Sequence, residues 1–172
     1  KLDNATTDND DRVGDGASLM LSGGTVALVG NAAGTGERLA YANLAPNTTS
    51  AIRVTSSAGG TSLGLLSLGR GSGAILNLVG VGADLGSATN EVRFDSTRPG
   101  FVAPIFTGGI LPYAIVGRDD NGDGVLESID LAADVDAGAD VSLGAATYDA
   151  SNVKMTASGG LSGSINALLI AG

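Results

Sequence analysis

Between Asp119 and Asp130 the chain reads Asp-Asp-Asn-Gly-Asp-Gly-Val-Leu-Glu-Ser-Ile-Asp, a stretch in which oxygen-bearing residues recur at the spacing used to hold a hard cation. Calcium takes about six to eight oxygen ligands, and a twelve-residue loop presents them from positions 1, 3, 5, 7, 9 and 12 with glycine at 6. Those positions are Asp119, Asn121, Asp123, the Val125 carbonyl, Glu127 and Asp130, with Gly124 at the turn and the apolar Leu126 at position 8. The chemistry expected is structural, with calcium neutralising the loop and pinning it to the body of the protein. A lone loop of this kind binds in the range of about 10⁻⁴–10⁻³ M. The same residues also read as an acidic, solvated insertion. Its flanks do not suit a helix-loop-helix unit, because Ile110–Gly117 contains Pro112 and β-branched residues.

Other candidate chemistry is thinner. Asp8-Asn9-Asp10-Asp11 and Asp134-Val135-Asp136 are acidic but lack the remaining ligand spacing, and read as solvated turns. Gly80–Gly86 follows a strand-like run, yet its glycines have the wrong spacing for a dinucleotide fingerprint and Asn90–Phe94 reads as strand where a helix is required. Asn4-Ala5-Thr6 and Asn47-Thr48-Thr49 fit the glycosylation triplet, which matters only in a host with that machinery. Asp95, Arg98 and Arg118 are carboxylate and guanidinium groups of the kind used in polysaccharide cleavage, but nothing in their spacing demands it. The expectation is a protein that is not an enzyme.

Composition narrows the classes. The 172 residues carry 18 acidic and 9 basic side chains, a formal net charge of −9, and the basic residues are scattered singly. A phosphate-binding surface needs them clustered, so no nucleic-acid partner is expected. There is no cysteine and no histidine, which excludes disulfides, thiolate metal sites, the usual zinc sites and histidine-based triads. No apolar run is long enough for a membrane-spanning helix, and Lys1-Leu2-Asp3 does not begin a signal peptide. With 28 glycines but only 4 prolines, and 3 Phe, 3 Tyr and no Trp, the core must be thin layers of Val, Ile, Leu and Ala punctuated by tight turns.

The elements that position the loop are strands. Leu76 and Leu78 alternate with Asn77, Val92 and Phe94 with Arg93, and Ile52 and Val54 with Arg53, so each run has one face in and one face out. Further runs are Ser18–Ser22, Thr25–Gly30, Arg38–Leu44, Thr61–Gly69, Ile110–Val116, Val141–Ala145, Asn152–Ala157 and Ser164–Ala171. Gly23-Gly24 reads as a tight β-turn joining two of them. No window carries a sustained helical period. Sandwich, barrel and solenoid all suit short strands with glycine turns, and the scarcity of aromatics favours stacked rungs. Rungs of roughly 20 residues would give about eight layers at ~4.8 Å, a rod roughly 40 Å long.

Leu2–Thr6 through Asp11–Asp15, Leu19–Gly30, the Leu65–Gly69, Ala74–Gly86 and Asn90–Phe94 series, Gly108–Ala114, and Asn152–Ala157 running into Ile165–Gly172 resemble the passenger repeats of bacterial autotransporter-associated β-strand proteins. The resemblance covers nearly the whole chain in order. Asp119–Asp130 is similar to the calcium loop of dockerin modules, in which Asp also closes the loop. What the resemblance implies is an all-β, right-handed parallel β-solenoid (β-helix) with short irregular loop insertions, a single segment over residues 1–172 with an acidic insertion at about 117–138. It further implies a secreted, extracellular or cell-surface location and a structural role in a fibre. The partners would be copies of the same chain, in a filament or in tandem. Both termini are then expected as cuts through a continuing solenoid with open ends. The alternative is an adhesin presenting Ser96–Gly109 and Gly117–Gly138 to surface glycans.

Overall fold

The computed structural model describes residues 1–94, 104, 106–107, 110–124, 126, 128–134, 141–146, 152–155 and 167–170. Among these the protein is all-β, a parallel β-solenoid of about four turns. Its strands are β1 (Leu2–Asp3), β2 (Ser18–Leu21), β3 (Thr25–Val29), β4 (Thr35–Leu39), β5 (Tyr41–Leu44), β6 (Thr49–Thr55), β7 (Thr61–Leu65), β8 (Leu68–Arg70), β9 (Ile75–Val81), β10 (Asn90–Phe94), β11 (Ile110–Asp119), β12 (Ser128–Asp134), β13 (Val141–Ala145), β14 (Asn152–Met155) and β15 (Ala167–Ile170).

Three strands make one turn, one on each face. The first face holds β1, β3, β6, β9 and β11, the second β4, β7 and β10, and the third β2, β5 and β8, all paired in parallel. Leu2 pairs with Leu28, Thr25 with Ala51, Thr49 with Ile75, Thr35 with Thr61 and Ala42 with Leu68, a return of 26 residues in each, whereas Ser18 to Tyr41 takes 23, Thr61 to Asn90 29 and Leu76 to Ala114 38. This circuit is longer than the expected rung of roughly 20 residues, and the expected eight layers become about four. The repeat carries a visible signature: Ala32-x-Gly34-Thr35-x-x-x-Leu39 returns as Ala58-x-Gly60-Thr61-x-x-x-Leu65.

Because side chains alternate along a strand, the register stacks like on like inside. Val26, Ile52, Leu78 and Val116 form one column, Leu39, Leu65 and Phe94 another, and Leu19, Ala42 and Leu68 a third. Ile52, Leu65, Leu78 and Phe94 are wholly shielded from solvent. Each such side chain contributes roughly 1.5–3 kcal/mol.

Corners explain where the expected strand boundaries shift. Arg38–Leu44 is two strands, because the chain turns from the second face to the third at the buried Ala40. Thr61–Gly69 divides in the same way at Leu66 and Ser67, one turn later. Gly23-Gly24 is a corner between β2 and β3, which lie on different faces, and not the turn of a hairpin. Pro112 falls inside β11, but it lies before Ala114, where pairing with β9 begins, and beside an irregularity in the pairing with β12.

Among the described residues the parallel stacking gives way after β11. After β11 the chain reverses, and β12 pairs antiparallel with β11 while β13 pairs antiparallel with both β12 and β10. The first and second faces thereby join into one ten-stranded sheet whose two edges, β1 and β4, both lie at the N-terminal end. There residues 4–17 cross the opening. The Gly36 N–H is donated to Asp10 Oδ1 at 2.9 Å, the Thr35 hydroxyl to Asp8 Oδ1 at 3.0 Å, and Val13 packs on the core. Asp8 and Asp10 are thus acceptors for the exposed edge of β4, beyond the solvated turn expected of them. Beneath residues 4–17 lies an apolar cavity of about 150 Å³ against Leu2, Val13, Leu19, Val26 and Leu39. β14 and β15 form a separate parallel pair.

The close approach of successive corners gives a direct test. A Cβ on Gly59 would lie 2.3 Å from both the Ala33 carbonyl carbon and the Gly34 nitrogen, backbone atoms of the preceding turn that have no room to yield. A Cβ on Gly36 meets nothing within 4 Å. Chemical denaturation is expected to show Gly59→Ala destabilised by about 1–3 kcal/mol or more, and Gly36→Ala within about 0.5 kcal/mol of the parent.

Candidate functional site

Arg53 sits on the outward side of β6, as its alternation with Ile52 and Val54 requires. Register places Val79 and then Gly117 beside it, while Asp119 continues the outward column of Thr55 and Val81. Arg53 therefore crosses β9 to reach Asp119, and its Nη2 donates to Asp119 Oδ2. Asp119 is fully buried although it lies on an outer face. What covers it is its own loop, which folds back over the first face with Leu126 against Gly117 and Gly122 close to the Val81 side chain. A Cβ on Gly117 would stand 2.8 Å from Leu126 Cδ1, so the glycine is what lets Leu126 settle there.

Backbone groups complete the arrangement. Asp119 Oδ1 accepts the Gly122 N–H at 2.6 Å and Oδ2 the Gly124 N–H at 2.9 Å. Gly122 and Gly124 have φ of 79° and 94°, a region that glycine enters without strain. Burial pushes the Asp119 carboxyl up, but the Arg53 guanidinium and the Gly124 and Gly122 N–H groups outweigh it and hold the group below the ordinary carboxylate range. Arg118, also exposed in part, pairs with Asp120 and lies 3.4 Å from Asp84, tying the loop to the neighbouring corner.

Each residue expected to hold calcium can now be placed. Asp119 is buried and engaged by Arg53, Asn121 and Asp123 are exposed, and Asn121 Oδ1 accepts the Asp123 N–H at 2.9 Å. Asp130 lies in β12 opposite Val116. Val125 and Glu127 lie outside the described residues, as do Asp95 and Arg98. Among the described residues no three acidic side chains gather as a cation cage. Arg53 places a positive charge against Asp119. The described part of the insertion is held to the shaft by this ion pair and by Leu126, neither of which the loop spacing reveals.

A second buried carboxylate lies at the opposite end. Glu37 occupies the interior column of Leu63 and Val92, and its Oε2 and Oε1 accept the Arg12 and Val13 N–H groups at 3.1 and 3.4 Å. Burial raises its pKa, and the Arg12, Val13 and Arg38 N–H groups only partly offset that. Asn4 is fully buried between Arg12, Asn9 and Asn31, which removes it as a glycosylation acceptor in the folded chain. No family model, no curated protein and no solved structure matches this chain.

The two carboxylates carry opposite signs in the dependence of stability on pH. Glu37, raised, binds its proton more tightly when folded, so stability rises as pH falls through its folded pKa towards the ordinary value. Asp119, lowered, contributes stability that is present above the ordinary value and lost as pH falls through its folded pKa. Denaturation at a series of pH values is expected to show a gain on mild acidification that Glu37→Gln abolishes, then a loss on stronger acidification. Arg53→Met is expected to accelerate limited proteolysis within residues 120–124 at neutral pH, and adding Asp119→Asn to recover part of the protection. Equal cleavage of Arg53→Met and parent would show that the ion pair does not hold the loop.

Proposed function

We propose that this chain is a structural shaft segment of a secreted bacterial surface fibre. The observation that carries the reading is the parallel stacking of strands on three faces, with a return of 26 residues recurring between successive turns, which lines up interior columns along a single axis. A solenoid of this kind is stabilised turn by turn through nearest neighbours and bears load along its ladders. The resemblance of its segments to passenger repeats supports the bacterial extracellular setting, and a net charge of −9 supports solubility of the rods. The reading assigns it no catalytic step. β12 and β13 occupy the edges of β11 and β10, so the neighbouring segment joins through the covalent chain and not by extension of those two ladders.

For the acidic loop two readings compete. The spacing from Asp119 to Asp130 supports calcium, and the Arg53 guanidinium on Asp119 supports a metal-free latch, which the geometry favours. Electron microscopy of material as isolated, with antibody raised against this chain, is expected to label filaments outside the cell. Label confined to the cell interior, or to isolated globular particles, overturns the shaft reading. Melting followed by circular dichroism in calcium and in chelator separates the two readings of the loop. Equal melting is expected with the arginine latch, and a chelator-dependent fall would establish calcium.

A further inference from the structure

Asn121-Gly122 is the only Asn-Gly pair among the 172 residues, and it lies in the exposed part of the acidic loop. Such a pair carries its own reaction. The glycine nitrogen attacks the side-chain carbonyl carbon of the asparagine, Cγ, and the absence of a Cβ on glycine leaves that nitrogen unshielded. The new N–Cγ bond closes a succinimide ring, the Cγ–Nδ2 bond breaks, and ammonia leaves with the proton from the glycine nitrogen. Water then opens either carbonyl of the ring, giving aspartate or isoaspartate in place of Asn121. Asp123-Gly124, the next pair along, closes the same ring with loss of water in place of ammonia.

Both attacking nitrogens are held. Asp119 Oδ1 accepts the Gly122 N–H at 2.6 Å and Oδ2 the Gly124 N–H at 2.9 Å, so one buried carboxylate engages the two nitrogens that would close the rings. Ring closure requires the Gly122 peptide to rotate towards Asn121 Cγ and its nitrogen to give up its proton. A charge-assisted hydrogen bond opposes the rotation. The carboxylate also repels the negative charge that develops on the nitrogen as the proton leaves. Asn121 itself is poised: its side chain is exposed, and its Oδ1 accepts the Asp123 N–H at 2.9 Å, which bends the amide back over the following backbone and draws electron density from Cγ. The restraint is therefore Asp119. Arg53 fixes Asp119 in turn, and Leu126 against Gly117 holds the loop down beside them.

We propose that Asn121 is a deamidation site gated by the Arg53–Asp119 ion pair, held back while the loop is closed and converted when it opens, which rests on the arginine latch being what anchors the loop. The reaction proceeds from the open loop, so its rate follows the open population. Isoaspartate inserts a methylene carbon into the backbone ahead of Gly122 and moves the Gly122 and Gly124 N–H groups off the two Asp119 oxygens. A converted loop therefore does not regain its closed form.

The test incubates the full chain at neutral pH, in chelator and in calcium, and follows the mass gain of deamidation at Asn121 by peptide mapping and isoaspartate by isoaspartyl methyltransferase labelling. Each chain is compared with itself in urea, which supplies the unrestrained rate. In chelator the folded parent is expected to convert roughly tenfold or more slowly than in urea. Arg53→Met, shown to be folded by circular dichroism, is expected to lose most of that protection. Leu126→Ala, which leaves the ion pair in place, is expected to lose part of it. A folded parent that converts as fast as in urea would overturn the inference alone, because the latch can still be read from proteolysis. Folded Arg53→Met and Leu126→Ala that both convert as slowly as the parent would overturn it as well. Protection that appears only in calcium and is equal in Arg53→Met and parent would overturn the latch and the inference together.

Discussion

Parallel pairing constrains everything else in this molecule. A strand can lie parallel to its predecessor only if the chain leaves, travels round and comes back pointing the same way, so each circuit must return to the same register, and extra length has to be taken up outside the strands. Here the circuit from Thr25 to Ala51 equals that from Thr49 to Ile75 and that from Thr35 to Thr61, and a slip by one position would turn every interior side chain outward. The requirement explains the composition. Leu39, Leu65 and Phe94 can share a column because each occupies the same point of successive circuits. Gly34 and Gly60, with φ of 111° and 90°, recur because the same corner has to be turned at the same point.

Buried polar groups gather where the circuit is broken. Glu37 stands at the N-terminal end of its column, where no further turn lies above it, and takes the N–H groups of residues 12 and 13 as its lid. Asn90 begins β10, and the return from Thr61 to Asn90 is longer than the one from Thr35 to Thr61. Its Nδ2 donates to the Val54 and Ala83 carbonyls at 3.0 and 2.9 Å, and its Oδ1 is buried without a partner. Asp119 ends β11 after a return that is longer still, from Leu76 to Ala114, and is buried by the extra chain that follows it. In each case a polar side chain satisfies backbone that regular laddering leaves over.

The alternation of each strand was legible because burial of one face writes itself locally: Ile52 and Val54 in with Arg53 out, Val92 and Phe94 in with Arg93 out. The circuit length was legible in principle, through Ala32–Leu39 and Ala58–Leu65, but only four residue types repeat and a shorter rung fits the glycine spacing as well. The corners at Ala40 and Leu66 carry no glycine or proline and so left no mark. The partner of Asp119 was the least legible feature. Arg53 lies 66 residues away in sequence, and the long return from Leu76 to Ala114 hides the coincidence that brings it two strands across to the loop.

The two ends give the solenoid a direction. At one end antiparallel strands seal the first and second faces. At the other, the edge of β4 gives hydrogen bonds to Asp8 and Asp10 side chains, and β1 is flanked by the Lys1–Asp3 ion pair. Charged and reversed edges resist pairing with another chain. The third face is guarded less: β8 and β2 border only one strand each, and Met20 on β2 is largely exposed. Among the described residues, then, the first and second faces end on reversed or hydrogen-bonded edges, and the unpaired ladder is concentrated on the third face, where β2 and β8 each keep one open side.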